Sequence, residues 1–526
     1  MTEATRDLLT QLAEAQPDKT AVIEDLPDGR VRSWTFAEFE ANANRVGRVL
    51  RDHGVQAGNR VLWCGQNSPW ILAIMHAARK IGVVAVPLNY RLTPEEAAYV
   101  ADNSDAVAAF VDAEFAELFV KIRPETPQLR EVLVFDADRA GVAVPEGQRD
   151  AMPLLAAADP GELEGGNAGG SAGTMIYTSG TTGKPKGAVR QGPGDPAQTA
   201  RMIEFYGLRP DDVYLTTGPL YHSGPSGFMM VGQMLGQTVV LQKKFDAEDW
   251  LRLLDRHRCS STFAAPAPIR MVCNLPDEVL ARYDRSSMRV MIANAAPWSY
   301  ALKLLYLERF PEHSLFEVYG STELGVNTIL RPEYQREKKG SCGQPAPGVE
   351  IRLYDEEGNV VTEPRVEGEL YVRSASVFST YHKAREKFEA DRRDGWQTVG
   401  DIAYFDEDGF YYICDRKKDM IISGGVNIYP AEIEAALEHH PDVLDVAVLG
   451  IPNEEWGEQV HAEVVLRAGA DLDAEALRAY AREHLAGYKV PRSVKFVDEI
   501  PRTGTGKILK RQLRAPYWKG HASRVV

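Results

Sequence analysis

Apolar and polar positions in the first half of the chain alternate between helix and strand patterns. The segment Thr93-Pro-Glu-Glu96 has a capping Thr, a first-turn Pro and a Glu at the third helical position, which predicts a helix start. Ser68-Pro69 opens another helix, and Gly82 closes it before the apolar run at residues 83–87. Near-continuous apolar strands between helices are typical of parallel sheets that are covered on both faces. We therefore predict an α/β fold with a largely parallel sheet.

The end of the chain has a different pattern. From about Lys418 the sequence predicts a strand, a helix at 430–439, strands at 443–449 and 459–466, a helix at 474–486 and a strand at 493–496. We predict a large N-terminal domain of layered helices and sheets over residues 1–417, and a small mobile α+β domain over residues 418–526. The glycine-rich run at 165–173 is typical of a flexible link.

Composition narrows the function classes. A chain of 526 residues exceeds what one hydrophobic core usually holds, and 44% hydrophobic with 26% charged residues is typical of a soluble enzyme. The net charge of −15 argues against nucleic acid or anionic membrane as a partner. The sequence has no apolar run that would span a bilayer and no secretory signal, so we expect no integral membrane segment and a cytoplasmic location. Five scattered cysteines indicate neither a disulfide framework nor a zinc site.

The run from Tyr177 to Gly187, with sequence YTSGTTGKPKG, is the strongest local signal. Its glycines let the backbone approach a polyphosphate, while backbone N–H groups and hydroxyls donate hydrogen bonds and lysines supply charge. The pattern differs from a Walker loop, which disfavours a P-loop kinase or GTPase, because Pro185 follows Lys184 where that motif has Ser or Thr. The predicted nucleotide-binding residues of this phosphate loop are Thr178, Ser179, Gly180, Thr181, Thr182, Gly183 and Lys186.

The phosphate loop closely resembles the signature of the adenylate-forming superfamily, which includes acyl-CoA synthetases, firefly luciferases and peptide-synthetase adenylation domains. The other motifs follow in order, so the resemblance covers essentially the whole chain and is closest to the fatty- or aryl-acyl-CoA synthetases. These other motifs are YGSTE at 319–323, VGD at 399–401, DR at 415–416, SGGVNIY at 423–429 and PRTGTGK at 501–507. The resemblance implies an AMP-forming acid–thiol ligase that uses ATP, Mg²⁺ and coenzyme A. A carboxylic acid would form an acyl-adenylate, and the thiol of CoA would then take the acyl group.

The resemblance also implies catalytic roles. Glu323 would be the Mg²⁺ ligand, because a carboxylate beside a triphosphate repels it unless a divalent cation lies between them. Thr322 would hydrogen-bond the α-phosphate, and Lys507 would stabilise the negative charge that builds up in the transition state. His222 would be an aromatic gate beside the acyl pocket rather than a general base.

For the nucleotide, the resemblance implies that the Tyr319 ring lies against adenine, next to Gly320. Asp401 would accept hydrogen bonds from the ribose hydroxyls, and Arg416 would add a second ribose contact. The family usually has Thr-Gly-Asp where this chain has Val399-Gly-Asp. We expect the lost hydroxyl to have a small effect on ATP affinity.

Two half-reactions in one cleft imply a domain rotation, for which the family uses a hinge at the position of Lys418. Rotation would withdraw Lys507 and bring Gly424 and Gly425 to the acyl-adenylate. Glycines have no side chain to obstruct a narrow thiol channel.

The acyl pocket is expected to have apolar walls, which favour a medium-chain aliphatic or aromatic acid. The family commonly has Gly-Gly-Ala-Pro where this chain has Asn294-Ala-Ala-Pro297, so the floor is narrower and an amide could read a polar group. No Lys or Arg is evident in these segments, which weighs against a dicarboxylic acid. The expected pocket residues are His222, Phe228, Met229, Met230, Ala293, Asn294, Ala295, Gly320 and Gly325.

Two alternatives stay open. The acceptor could be the pantetheine of a carrier protein, an amine or oxygen instead of CoA; the chain ends without a carrier domain, so loading would occur in trans. A catalytically inactive binding homologue belongs to another class, and retention of the phosphate loop, Glu323, Asp401, Arg416 and Lys507 argues against it. A homodimer also stays open.

Overall fold

The computed structural model describes residues 6–163, 173–178, 185–191, 194–296, 298–416, 419–423, 426–453, 456–502 and 508–519. The helices in these ranges are, in chain order, α1 (Leu8–Ala15), α2 (Phe36–Asp52), α3 (Pro69–Lys80), α4 (Pro94–Asn103), α5 (Ala116–Ile122), α6 (Ala137–Ala140), α7 (Ala151–Ala157), α8 (Pro196–Tyr206), α9 (Ser223–Met234), α10 (Ala247–Arg256), α11 (Pro266–Cys273), α12 (Asp277–Leu280), α13 (Tyr300–Arg309), α14 (Arg385–Ala390), α15 (Pro430–Leu437), α16 (Ala474–His484) and α17 (Lys510–Arg514).

The strands are, in chain order, β1 (Thr20–Asp25), β2 (Val31–Thr35), β3 (Arg60–Cys64), β4 (Val84–Pro87), β5 (Ala106–Asp112), β6 (Glu131–Phe135), β7 (Arg149–Asp150), β8 (Gly173–Thr178), β9 (Lys186–Gln191), β10 (Val213–Thr216), β11 (Thr238–Leu241), β12 (Ser261–Ala264), β13 (Val290–Ala293), β14 (Leu315–Ser321), β15 (Gly325–Leu330), β16 (Gln344–Pro345), β17 (Glu350–Tyr354), β18 (Gly368–Arg373), β19 (Thr380–Tyr381), β20 (Arg392–Arg393), β21 (Trp396–Phe405), β22 (Tyr411–Arg416), β23 (Ile421–Ser423), β24 (Val426–Ile428), β25 (Val443–Asn453), β26 (Gly457–Leu466) and β27 (Ser493–Phe496).

Both helix starts that the sequence predicts are confirmed. Thr93 forms a complete capping box with Glu96 at the start of α4, and the Ser68 hydroxyl accepts a hydrogen bond from the Ile71 N–H at the start of α3. Gly82 follows α3 with a φ of 73°, a conformation that glycine adopts without strain. The α3 helix then contacts β1 of one sheet and β3 and β4 of another, so it lies between the two sheets.

Two large sheets form the body of the N-terminal part. The order in the nine-stranded sheet is β16-β15-β14-β13-β12-β10-β11-β1-β2, and in the eight-stranded sheet it is β19-β9-β8-β4-β3-β5-β6-β7. Both are parallel in their centres and antiparallel at one or both ends, as in the pairs β8–β9 and β14–β15. The predicted largely parallel arrangement is confirmed for these two sheets.

A third sheet departs from that prediction. Strands β17, β18, β20, β21 and β22 pair antiparallel throughout. Turns such as residues 406–410 connect these strands directly, and a connection of that length is too short for the crossover that a parallel pair needs.

The C-terminal part is a small α+β unit, as predicted. Strands β23 to β27 form one sheet, on which α15 packs against β25 and α16 packs against β27. The observed β27 has the predicted bounds, whereas α15 and α16 each end two residues early. Residues 417 and 418 lie outside the described residues, so the boundary between the domains stays a prediction. None of the helices in the described ranges is long and apolar enough to cross a membrane.

Candidate active site

A continuous cleft of about 4850 Å³ is lined by both large sheets and by the small C-terminal sheet and its helices. Pockets for single small molecules usually measure about 300–1,000 Å³, so this cleft is larger than one such pocket. It is lined by residues from three of the predicted motifs, Thr178 of the phosphate loop, Tyr319 and Thr322 of the second motif, and Asp401.

Both flanks of the phosphate loop are fixed to α4. The Tyr177 hydroxyl donates a 2.7 Å hydrogen bond to Asn103 Oδ1, and the Tyr99 hydroxyl donates a 3.2 Å bond to the Pro185 carbonyl. Lys186 opens β9 and lies opposite Thr178 in the β8–β9 pair. The remaining predicted loop residues, Ser179, Gly180, Thr181, Thr182 and Gly183, lie outside the described residues.

Glu323 links the phosphate loop to the second motif. Its Oε1 accepts a 2.8 Å hydrogen bond from the Thr178 hydroxyl and a 3.2 Å bond from the Tyr381 hydroxyl. The side chain is 9% exposed. Sequence reasoning assigned Thr178 and Glu323 to one site, but it did not predict their direct contact or the role of Tyr381.

The oxygen donors around Glu323 fit a magnesium ion that arrives with the nucleotide. Mg²⁺ prefers oxygen ligands and is usually held by one or two carboxylates together with substrate phosphates. Within the described ranges no cluster of three or more His, Cys, Asp or Glu side chains could hold a metal ion. Glu323, with the hydroxyl of Thr178 beside it, is therefore suited to a metal whose other ligands come from phosphate and water.

Tyr319 and Asp401 are joined across the cleft. The Tyr319 hydroxyl donates a 2.5 Å hydrogen bond to Asp401 Oδ2, and Asp401 is 5% exposed. This bond joins β14 of the nine-stranded sheet to β21 of the antiparallel sheet. Arg416 lies opposite Asp401 in the β21–β22 pair, while its side chain is outside the described residues. The two residues predicted to bind adenosine are therefore neighbours.

His222 lies at the start of α9, and Thr322 contacts the first residue of that helix. The Thr322 and Ser223 hydroxyls share a 2.7 Å hydrogen bond, which joins the second motif to the first residue of α9. His222 precedes α9, and its ring lies 4.3 Å from the Tyr221 ring, centroid to centroid. Both Tyr221 and His222 line the cleft.

Sequence reasoning missed Arg190 on β9. Its guanidinium donates hydrogen bonds to the carbonyl oxygens of Ser376 and of Thr322, the latter at 2.7 Å. Burial lowers the pKa of Arg190, and the negative charge of Glu323 opposes that effect. A charged residue directly after the small and apolar run Gly187-Ala-Val189 was the available signal.

Phe228, predicted to line the acyl pocket, lines the cleft and packs in an aromatic cluster. Its ring stacks on Phe263 at 5.5 Å and meets Tyr206 edge-on at 5.9 Å. Met230 also lines the cleft, whereas Met229 is fully buried in the core.

One expectation about the floor of the pocket needs correction. Ala293 is fully buried in a core cluster behind β13 and does not line the cleft. The Asn294 amide donates a 2.6 Å bond to the Val318 carbonyl, and its oxygen accepts from the Ala295 N–H. The amide therefore holds the local backbone, in which Ala295 has a φ of 74°, while Asn294 also lines the cleft.

Gly320 and Gly325 face each other where β14 turns into β15. A Cβ on Gly320 would collide with the Gly325 carbonyl oxygen, and Gly325 has a φ of 77°. The cleft wall also includes Arg79 and Arg270, which lie outside the segments considered in the sequence. The expectation against a dicarboxylic acid stays a prediction.

A buried ion pair lies close to Tyr319, one of the residues predicted to bind adenosine. Lys303 of α13, 2% exposed, pairs with Glu317 of β14, two residues before Tyr319. Burial raises the pKa of Glu317, and the charge of Lys303 counteracts the shift. Neither residue was singled out from the sequence.

The remaining predicted residues, Lys418, Gly424, Gly425 and Lys507, lie outside the described residues. Arg502 and Ile508, on either side of the lysine segment, pair as an antiparallel bridge, and the Leu509 N–H donates a 2.8 Å bond to the Pro501 carbonyl.

Comparison with protein families gives two matches. A model described as AMP-binding enzyme matches residues 9–382, and one described as AMP-binding enzyme C-terminal domain matches residues 432–507.

Relatives and solved structures resemble nearly the whole chain. A feruloyl-CoA synthase of an Amycolatopsis species is 35% identical over 482 residues, which cover 91% of this chain and 93% of that protein. The o-succinylbenzoate CoA synthetase of Bacillus subtilis, solved with its acyl-adenylate intermediate, has a TM-score of 0.81 at 31% identity and covers 96% of this chain and 97% of its own. The amide bond synthetase McbA of Marinactinospora thermotolerans has a TM-score of 0.83 at 28% identity, covering 97% and 99%.

Proposed function

The chain belongs to the family of AMP-binding enzymes, and on that premise we propose that it is an acid–CoA ligase that works through an acyl-adenylate. The observation that carries the proposal is the pair of hydrogen bonds Thr178–Glu323 and Tyr319–Asp401. They bring the phosphate loop, the metal-binding candidate and the two adenosine-binding candidates into one cleft.

In the proposed first half-reaction, an oxygen of the substrate carboxylate attacks the α-phosphorus of ATP, and the bond to pyrophosphate breaks. Thr178 and Thr322 would hold phosphate oxygens, and Lys507 would stabilise the charge that develops on the transferring group. Glu323 would hold Mg²⁺, which neutralises charge on the triphosphate when bound.

In the second half-reaction, the sulfur of CoA attacks the acyl carbon and AMP leaves, while the thiol proton passes to solvent. Gly424 and Gly425 would line the thiol channel after rotation about Lys418. His222 would gate the acyl pocket. The small-molecule partners are thus a carboxylic acid and CoA, and a homodimer and a cytoplasmic location stay predictions.

We favour an aromatic acid over a medium-chain aliphatic one. The stacked rings of Phe228 and Phe263 offer a flat apolar wall, and aromatic groups prefer such offset-stacked partners at 4.5–7 Å. Two of the similar proteins are named for aromatic acids, feruloyl and o-succinylbenzoyl.

An amine acceptor is the second candidate, because the chain is similar to an amide bond synthetase over nearly its whole length. In that case the acyl-adenylate would react with an amine nitrogen in place of the CoA sulfur.

The test is a panel of straight-chain, branched and aryl acids incubated with Mg-ATP, with and without CoA. We expect CoA-dependent AMP release and a matching acyl-CoA in the mass spectrum, with aryl acids giving the largest kcat/KM. Acid-dependent pyrophosphate exchange without a thioester would retain adenylation and exclude CoA, and amines and carrier proteins would be tested next. No exchange with any acid would contradict the proposal.

A further inference from the structure

We propose that Arg190 is a positioning residue that holds the Thr322–Glu323 segment in place for Mg-ATP and supplies positive charge to that segment. The inference rests on the proposed function, since it assigns Arg190 a part in nucleotide binding. It concerns a residue outside every motif identified in the sequence.

The side chain of Arg190 joins two loops. Arg190 extends from β9, the strand that follows the phosphate loop, and its two terminal nitrogens reach two different loops. One donates to the Thr322 carbonyl at 2.7 Å and the other donates to the Ser376 carbonyl. A planar guanidinium holds two acceptors at a fixed separation, which a lysine ammonium cannot do. Arg190 therefore fixes the second motif relative to the phosphate loop.

The packing around these two loops leaves little freedom. A Cβ on Gly325 would lie 2.7 Å from Ser376 Cβ, so the 374–376 loop is in close contact with the β14–β15 turn. The Glu323 carbonyl also accepts a 2.7 Å bond from the Phe378 N–H. The hydrogen bonds from Arg190 and from Phe378 hold the backbone of Thr322 and Glu323. They thereby limit where the Glu323 carboxylate can lie.

The positive charge of Arg190 acts on Glu323. Carbonyl oxygens satisfy the hydrogen bonds of Arg190, but they do not neutralise its charge. The carboxylate that acts on Arg190 electrostatically is Glu323, which is itself 9% exposed. In a partly buried cleft, where charges are weakly screened, this cation offsets the repulsion between Glu323 and an incoming triphosphate. Arg190 lines the cleft and so acts on ligands that enter it.

The expected effect is on Mg-ATP rather than on stability alone. Removing partners that orient a metal ligand typically costs about 10–100-fold in affinity or activity. We expect Arg190→Met to weaken binding of Mg²⁺ with an α,β-methylene ATP analogue by about that factor, measured by titration calorimetry. Arg190→Lys keeps the positive charge but loses the planar group that holds two carbonyl oxygens. It should therefore bind the analogue nearly as well as wild type, while its acid-dependent pyrophosphate exchange stays below wild type.

Arg149→Met is the matched control. Arg149 pairs with Glu131 at the surface, and neither residue lines the cleft. This variant should bind the analogue and exchange pyrophosphate like wild type. Melting temperatures of all variants separate a loss of fold from a loss of positioning.

The outcomes decide between the two proposals. Binding and exchange by Arg190→Met within about twofold of wild type would overturn the Arg190 role, and so would a failure of Arg190→Lys to recover any binding. If Arg190→Met does not fold, the test depends on Arg190→Lys. Pyrophosphate exchange equal to wild type in Arg190→Lys would show that the two hydrogen bonds of the guanidinium are not needed. If wild type binds the analogue but exchanges with no acid, the proposed function fails while the Arg190 role is still decided by binding.

Discussion

At the residue scale, the site depends on a few hydrogen bonds between segments far apart in sequence. Thr178 and Glu323 are separated by 145 positions, and Tyr319 and Asp401 by 82. Each bond joins two motifs that were identified separately, so each gives a specific test of whether the motifs act together.

Replacing Glu323 with Gln isolates the charge of the metal-binding candidate. The amide oxygen can still accept the bonds from Thr178 and Tyr381, so the local geometry is retained. We expect acid-dependent pyrophosphate exchange to fall by about 10²–10³-fold, because the substitution removes the negative charge that would hold the metal on the transferring phosphates.

Tyr381→Phe is the control for this substitution, since it removes one hydrogen bond and keeps the carboxylate. A hydrogen bond to a charged carboxylate is worth about 1.5–3 kcal/mol, so the exchange rate of Tyr381→Phe should fall by at most about 10²-fold and by less than that of Glu323→Gln. If Glu323→Gln were no slower than Tyr381→Phe, Glu323 would not be a metal ligand.

At the scale of the element, the turn from β14 to β15 shapes the site. Gly325 has a φ of 77°, where an L-residue with a side chain is strained by about 1–2 kcal/mol. Ser376 leaves no room for a Cβ there, and Gly320 meets the Gly325 carbonyl across the turn. The turn thus needs glycine for both backbone and steric reasons.

Gly325→Ala should therefore lower both the melting temperature and the rate of pyrophosphate exchange. Gly58→Ala separates the two causes, because Gly58 has a φ of 83° and nothing within 4 Å of an added Cβ. We expect Gly58→Ala to cost only the backbone strain and to leave exchange unchanged. Equal melting temperatures and equal exchange in the two variants would contradict a steric role for Ser376.

At the scale of the molecule, the chain forms a large part with three sheets and a small part with one sheet. The cleft lies against both, and contacts such as the hydrogen bond from Tyr429 to Glu367 join them. The two half-reactions proposed for this cleft would require the small part to present different segments at different times.

Lys418→Pro tests this rotation. Proline fixes φ near −65° and removes a donor, so a hinge at this position would lose its freedom. We expect acid-dependent pyrophosphate exchange to persist and thioester formation from a pre-made acyl-adenylate to fall. Lys507→Ala should show the reverse, with exchange reduced by about 10²–10³-fold and thioester formation retained. Equal loss of both half-reactions in Lys418→Pro would count against a hinge there.

The sequence alone determined the local structure and the types of chemistry. A helix start such as that at Thr93 is set by residues within a few positions of one another, and the phosphate-loop motif is likewise a short local run. Both can therefore be predicted from one sequence. The α/β layering followed from the apolar runs between helices, whereas the antiparallel sheet of β17, β18, β20, β21 and β22 did not.

Only the tertiary structure decided which residues meet. The packing of the sheets against one another places Arg190 beside Thr322 and Tyr319 beside Asp401, and Ala293 lies in the core. A period of apolar residues indicates which face of a strand is buried, but it does not specify which strand lies next to it. The contacts that position Glu323 join two different sheets, and for this reason Arg190 and Tyr381 were found in the structure and not in the sequence.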